Sequence, residues 1–357
     1  MKTGRVVGWL VNDGAEIVPG AELAEIETEK ILGSLEASAT GVLRRKVAAV
    51  DDQVPVGGLL AVIAESSISE AQIDQFIAEF QTRFVPEPDE AESTAPGCEV
   101  ADVSGHSLRY LKRGEGAEAA LLIHGFGGDL NNWLFNHEAL ADSRAVYALD
   151  LPGHGGSSKR VGDGSLQEFS QILGSFMETV GLSKAHLVGH SMGGAVALNL
   201  ALARPQKVVS LALIASAAFG PEIDGEYIEG FITAGRRKEL KPHLDKLFCD
   251  SKLVGRQMVE DVLKYKRTDG VELALRTLAA QFFPGGRQAV VLRERLGQLS
   301  VPTLVVWGAE DRILPSLHGK GLPENIKTEI LSECGHMVQM EAATQFNRLI
   351  QSFWQAR

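Results

Sequence analysis

The chain has 357 residues, 45% of them hydrophobic and 23% charged, the balance of an ordinary soluble globular protein long enough for two domains. A formal net charge of −11 disfavours nucleic acid as a partner, and no apolar run reaches the length of a membrane span. No basic-then-apolar segment opens the sequence, Cys98, Cys249 and Cys334 are widely spaced, and no Cys/His cluster has metal-ligand spacing, so the expectation is a cytosolic protein with free thiols and no metal.

Residues 1–65 contain an internal repeat. Ile17, Gly20, Leu23, Ala24 and Ile26 recur as Val54, Gly57, Leu60, Ala61 and Ile63, each 37 positions later, and Thr3-Gly4 recurs as Thr40-Gly41. Two β-rich halves with turn glycines predict a small pseudo-symmetric all-β sandwich. Between the halves lies Glu25-Ile26-Glu27-Thr28-Glu29-Lys30-Ile31-Leu32. Apolar–polar alternation runs to Thr28 and resumes at Ile31, which puts Lys30 at a hairpin tip within reach of a modifying enzyme. The offset also implies that the strand over 31–38 has a counterpart ahead of residue 4. Either the sheet is one strand short and exposes an edge, or Met1 is internal to a longer chain.

This region resembles the lipoyl domains of 2-oxo acid dehydrogenase complexes. Glu27-Thr28-Glu29-Lys30 is close to that family's Glu-Thr-Asp-Lys, whereas a biotinyl domain would set its lysine between two methionines. The resemblance implies lipoate carried in amide linkage on Lys30. Read by itself, Lys30 is better taken as a surface lysine in an acidic strand.

Over residues 66–97, Ser69-x-x-Gln72 has the form of a capping box, and Ile73, Phe76, Ile77, Phe80 and Phe84 follow at helical spacing. That stripe packs on its own domain, on the C-terminal domain or on another subunit. Pro86 to Pro96 is rich in Pro, Glu, Asp, Ser and Ala with no basic residue, an extended, self-repelling linker.

From residue 98 onward, apolar runs alternate with helical segments. The candidate strands are Ala119–Ile123, Ala145–Leu149, Ala185–Val188, Val208–Ile214, Thr303–Trp307 and Lys327–Leu331. They predict an α/β domain, a parallel sheet covered by helices, with chemistry at the carboxyl ends of the strands. Gly189-His190-Ser191-Met192-Gly193 fits G-x-S-x-G between a strand and a helix, a turn so tight that only glycine fits at its ends. His124-Gly125-Phe126-Gly127-Gly128 follows the first run, where the Phe126 and Met192 N–H groups can form an oxyanion hole. Asp311 follows the run ending at Trp307, and His336 follows the run ending at Leu331. The order Ser191, Asp311, His336 is nucleophile, acid, base. A serine hydroxyl needs a base to take its proton, a histidine titrates near neutrality, and a carboxylate fixes its tautomer.

Asp150 is a rival acid, but it precedes the serine in sequence and reads as structural. His124 and His190 read as positioning groups and Cys334 as a packed thiol. Between about 221 and 295 the strand alternation breaks. Glu239–Leu247, Gln257–Tyr265 and Val271–Phe282 look helical, which predicts a cap over the site. Phe282, Phe283 and Met258 line its pocket or form its core, and Lys264, Lys266 and Arg267 read as a solvated helix face.

Residues 98–357 resemble α/β-hydrolases. The fusion as a whole resembles the dihydrolipoamide acetyltransferase components of acetoin dehydrogenase systems, including Leu263-Lys264-Tyr265-Lys266-Arg267 and Gly285-Gly286-Arg287-Gln288. The His-x-x-x-Asp-Gly that marks ordinary acetyltransferase components is absent from the sequence. The resemblance implies transfer of an acetyl group from lipoyl-Lys30 through the Ser191 triad to coenzyme A. It also implies an oligomeric complex with a thiamine-diphosphate-dependent acetoin dehydrogenase component and dihydrolipoamide dehydrogenase. No coenzyme A motif is recognisable, so water remains open as the acceptor. A stand-alone carboxylesterase or thioesterase with a vestigial lipoyl domain is the alternative function.

Overall fold

The computed structural model describes residues 3–27, 32–37, 39–55, 58–83 and 97–355. The chain divides into two compact units, 1–93 and 94–357, taken in turn.

The first unit is built of β1 (Thr3–Trp9), β2 (Glu16–Ile17), β3 (Glu22–Glu27), β4 (Leu32–Glu36), β5 (Gly41–Lys46), β6 (Gln53–Pro55) and β7 (Ala61–Ala64). One sheet has the order β4-β3-β1-β6 and the other β2-β5-β7. The 37-residue repeat explains this pairing, because β1 and β5, β2 and β6, and β3 and β7 are repeat mates in corresponding places. The mate of β4 would lie beside β7, which pairs only with β5 among the described residues. Ile17, Leu23, Ala37 and Leu43 form the buried core.

Helix α1 (Glu70–Arg83) follows. It opens with the expected capping box: the Ser69 N–H donates to Gln72 Oε1 at 3.0 Å and the Gln72 N–H to Ser69 Oγ at 3.4 Å. Arg44 and Arg45 hold its first turn through Glu70, at 2.6 and 2.7 Å. Ile73 is buried, while Phe76 is half exposed. Phe84 and the acidic linker lie outside the described residues.

The second unit is an eight-stranded sheet of order β15-β14-β13-β12-β10-β11-β9-β8. Its strands are β8 (Cys98–Val103), β9 (His106–Arg113), β10 (Ala119–Ile123), β11 (Ala145–Leu149), β12 (Ala185–His190), β13 (Val208–Ile214), β14 (Thr303–Gly308) and β15 (Ile326–Leu331). Helices α2 (His137–Leu140), α3 (Leu166–Thr179) and α4 (Met192–Ala203) lie among the first strands, and α9 (Val338–Glu341) and α10 (Ala343–Gln355) end the chain. Between β13 and β14 run α5 (Gly225–Thr233), α6 (Arg237–Asp245), α7 (Arg256–Lys266) and α8 (Val271–Phe282). No helix of the described residues is long and apolar enough to cross a membrane.

Strands β10 to β15 are parallel and match the six candidate runs; β10 to β14 are apolar in both directions because they are covered on both faces, whereas the edge strand β15 is part-exposed in its middle. Leu121, Leu187, Leu211 and Val305 pack on one face with α3 and α4. Leu122, Val188, Ala212 and Val306 pack on the other with Phe346, Ile350 and Trp354 of α10. The hairpin β8–β9 has no counterpart among the runs. It is antiparallel, and β9 alternates buried and part-exposed residues along most of its length. Strand β10 lies between β11 and β12, so the strand order reverses there and opens a crevice at the carboxyl ends.

Candidate active site

Ser191 sits between β12 and α4 with φ 53° and ψ −119°, a strained conformation for a non-glycine residue. Its neighbours make room for it. A Cβ at Gly189 would lie 2.6 Å from the Gly193 carbonyl oxygen, and one at Gly193 would lie 2.3 Å from that of His124. Both contacts are with backbone, which cannot swing aside. Gly193→Ala is therefore expected to destabilise the domain by about 3 kcal/mol or more, read as a lowered midpoint in urea unfolding.

His336 lies on the loop between β15 and α9. Its Nδ1–H donates to Asp311 Oδ2 at 2.8 Å, which leaves Nε2 as the lone-pair nitrogen. Asp311 also accepts from Trp307 Nε1 at 3.1 Å and from the N–H groups of Ile313 and Leu314 at 2.8 and 3.0 Å. Its side chain is fully buried. Glu310 beside it is exposed. The elbow reaches the histidine loop through His190, whose Nε2–H donates to the His336 carbonyl at 3.0 Å with ring centroids 4.6 Å apart. Burial, then the neighbouring His336, holds His190 well below the usual imidazole range, so it is a neutral brace.

The loop after β10 is held by two more neutral imidazoles. His124 Nδ1–H donates to the Gly125 carbonyl at 2.8 Å, and its Nε2 accepts from the Leu151 N–H at 3.0 Å. His154 Nε2 accepts from the Gly127 N–H at 3.1 Å, and its Nδ1–H donates to the Pro152 carbonyl. Burial lowers both pKa values. Among the described residues the Phe126 and Met192 N–H groups have no acceptor, so both remain available to a substrate oxygen. Asp150 is fully committed elsewhere: it accepts from Arg109 Nε at 2.6 Å, from the Gly156 N–H at 2.7 Å and from the Leu130 N–H at 2.8 Å.

The three buried histidines set a pH dependence. Unfolding returns each to an imidazole pKa near 6.5, so below that value the unfolded chain binds more protons. Their contribution to stability is complete above about pH 6.5 and is lost as pH falls, at up to about 1.4 kcal/mol per unit for each. Thermal melts at intervals between pH 7.5 and 5 should show the midpoint falling with increasing slope; a flat profile would contradict neutral burial.

A relative from Pseudomonas putida, a dihydrolipoyllysine-residue acetyltransferase component of acetoin cleaving system, is 50% identical over 354 residues, 99% of this chain and 95% of that protein. The same component of Cupriavidus necator is 46% identical over 351 residues, 98% and 93% of the two chains. The chain belongs to this acetyltransferase family. Residues 120–343 match the alpha/beta hydrolase fold family and residues 1–63 the family described as biotin-requiring enzyme. Among solved structures, a meta-cleavage product hydrolase from Pseudomonas fluorescens covers 72% of this chain and 97% of its own with a TM-score of 0.66; at 24% identity that likeness is one of fold.

In this acetyltransferase family member the segment between β13 and β14 reaches the site directly. The N–H groups of His336 and Met337 donate to the Leu247 carbonyl at 2.8 and 3.2 Å, and Phe231 and Phe283 pack edge-on against Phe126. Phe282 and Phe283, with Ala195, Ala217 and Ala218, line a cavity of about 10 Å³. The Ala217 N–H donates to the Ser191 carbonyl at 3.0 Å, which sets that cavity beside the elbow. Met258 is part-buried against the core. Cys334 is buried, and burial pushes its thiol up to about 11, which makes it unreactive. Among the described residues no group of three or more His, Cys, Asp or Glu could hold a metal ion. Helix α5 and the bracing roles of Arg109, His154 and Trp307 were not foreseen; the only signal for His154 was its place in the loop after β11.

Lys30 lies outside the described residues. The strands that flank it are β3 and β4, paired antiparallel as far as Glu27 and Leu32.

Proposed function

We propose that the chain is the acetyltransferase component of an acetoin-cleaving multienzyme system, moving an acetyl group from a lipoyl thioester to coenzyme A through an ester on Ser191. Residues 1–65 are the carrier domain, 66–97 the helix and linker, and 98–357 the catalytic domain with its cap at about 221–295. The observation that carries this reading is the oriented His336–Asp311 pair in the same unit as the strained Ser191 elbow, in a chain that also bears a lipoyl-type sandwich.

Lipoate in amide linkage on Lys30 would supply the thiol that presents the acetyl group. The catalytic unit does the rest. Ser191 Oγ attacks the thioester carbonyl while His336 Nε2 takes its proton. The Phe126 and Met192 N–H groups hold the oxyanion, each worth about 3–4 kcal/mol. The C–S bond breaks and the leaving sulfur takes the proton from the imidazolium. The thiol of coenzyme A then gives its proton to His336 as its sulfur attacks the acetyl ester, and Ser191 Oγ leaves with that proton. Asp311 keeps Nδ1–H facing itself throughout. The partners are a thiamine-diphosphate-dependent component that cleaves acetoin and dihydrolipoamide dehydrogenase, in a cytosolic oligomeric complex.

The test uses the full chain made in cells with an active lipoylation system. Acetyl-dihydrolipoamide and coenzyme A should yield acetyl-coenzyme A, and the Lys30 peptide should carry the lipoyl mass. Acetate as sole product with an unmodified Lys30 would replace this reading with that of a stand-alone capped hydrolase.

A further inference from the structure

The cap differs in charge from the rest of the chain. Between Pro221 and Arg295 there are 14 Lys or Arg against 12 Asp or Glu, a net positive segment in a chain whose total is −11. Two of these cations meet at a hollow. A cavity of about 110 Å³ is lined by Ala234 and Gly235 after α5, by Leu263, Lys266 and Arg267 at the end of α7, and by Val271 at the start of α8. Lys264, two residues earlier, is exposed as a solvated face requires, but Lys266 is half-buried.

Neither cation makes an ion pair among the described residues, although the charges of Glu272 and Glu239 act on Lys266 from a distance. The Lys266 ammonium donates to the Ala234 carbonyl and lies 5.5 Å from the centroid of the Phe231 ring. Arg267 is exposed, and among the described residues its guanidinium makes no ion pair or hydrogen bond. The carboxylate on the wall, Glu272, is engaged by Arg276 Nε at 2.9 Å, and nearby Glu239 accepts from the Gly235 N–H at 3.1 Å. Burial lowers Lys266 to about 8, a cost that an anion in the hollow would offset. A desolvated ammonium and an unpaired guanidinium on one cavity are an arrangement that proteins ordinarily complete with an anion.

The hollow is one aromatic ring away from the chemistry. Phe231, over which Lys266 sits, packs on the oxyanion loop so closely that a Cβ at Gly127 would lie 2.5 Å from its ring, and its centroid is 6.0 Å from that of Phe126. A ligand with phosphate at one end, a thiol at the other and a long flexible arm between can reach both places. We propose that the cap cavity at Lys266 and Arg267 binds the phosphate end of the thiol acceptor and so orients its sulfur toward the acetyl ester. This rests on the acyl-transfer reading. The phosphate contacts separate coenzyme A from shorter thiols that carry the same reactive group.

Equilibrium binding to the full chain tests it without turnover, with coenzyme A, dephospho-coenzyme A and pantetheine as probes. Coenzyme A should bind in a salt-sensitive manner. Arg267→Glu and Lys266→Met, each checked for an unchanged melting curve, should weaken it about tenfold or more and leave pantetheine unaffected. Dephospho-coenzyme A that binds like coenzyme A in the wild type would place the diphosphate, and not the terminal phosphate, in the hollow. Lys264→Glu has the same change of charge class on the same helix and should alter nothing. Unchanged affinity in both cavity variants, or an equal loss in Lys264→Glu, overturns the site. Acetyl transfer to pantetheine as efficient as to coenzyme A overturns it while leaving acyl transfer intact. Loss of coenzyme A binding on Arg267→Glu in an enzyme that releases only acetate supports the site and removes the acceptor reading.

Discussion

Ser191→Ala should abolish turnover of acetyl-dihydrolipoamide, lowering kcat by about 10⁴–10⁶-fold, because the acyl group then has no oxygen on which to reside. What should survive is the proposed oxyanion hole of the Phe126 and Met192 N–H groups, which would still polarise the carbonyl for direct attack by a thiol or water. The fold should not notice the change. Alanine keeps the Cβ and therefore the same backbone cost at φ 53°, and the elbow contacts run through backbone: the Ser191 N–H donates to the Ile214 carbonyl and its carbonyl accepts from Gly194 and Ala217. A companion variant separates chemistry from strain. Ser191→Gly is equally inactive, but glycine takes φ 53° without penalty, so its unfolding midpoint should rise by the equivalent of about 1 kcal/mol. Single-turnover assays with radiolabelled acetyl substrate would give the decisive reading. Labelled acetyl retained on Ser191→Ala, or turnover within tenfold of wild type, would remove Ser191 as the nucleophile.

The second large effect belongs to Asp311. Asp311→Asn preserves size and shape but not acceptor count. The native carboxylate accepts from four donors, the His336 and Trp307 ring N–H groups and the backbone N–H groups of Ile313 and Leu314. An amide can accept on one side only, and its NH₂ must face some of those donors. If it faces His336, the imidazole turns to the tautomer with its proton on Nε2 and ceases to be a base for Ser191. The expected result is a loss of about 10⁴ in kcat with little change in KM, together with about 1–3 kcal/mol of lost stability from the unsatisfied donors. Activity that recovers at high pH would agree with a tautomer defect. Activity within tenfold of wild type would move the acid elsewhere. Neither neighbour is a ready substitute: Asp150 is occupied by Arg109, Leu130 and Gly156, and Glu310 is exposed.

Both residues could be placed early from the runs they follow, but their contacts could not. The five inner parallel strands, β10 to β14, were legible because both faces of each are buried and each appears as a mostly apolar run, while the edge strand β15, part-exposed in its middle, is apolar only at its ends. The elbow was legible because Gly189 and Gly193 face backbone at 2.6 and 2.3 Å, a constraint that leaves its mark on residue type. The repeat in residues 1–65 was legible because repeat mates occupy corresponding places in two sheets. Composition says nothing about which carboxylate meets His336. That is decided by β14 and β15 lying side by side in the sheet, which brings Asp311 to 2.8 Å from a histidine 25 positions away. The contact of His190 with the His336 carbonyl joins positions 146 apart, and the neutrality of His124, His154 and His190 comes from burial, which no local pattern records. Lys264 and Lys266 look alike on a line of text. Only the packing of α7 against its neighbours turns one to water and the other over the Phe231 ring. Local chemistry thus specified the elements and the reactive residue types, and long-range proximity and desolvation, which depend on the folded chain, decided their partners and charge states.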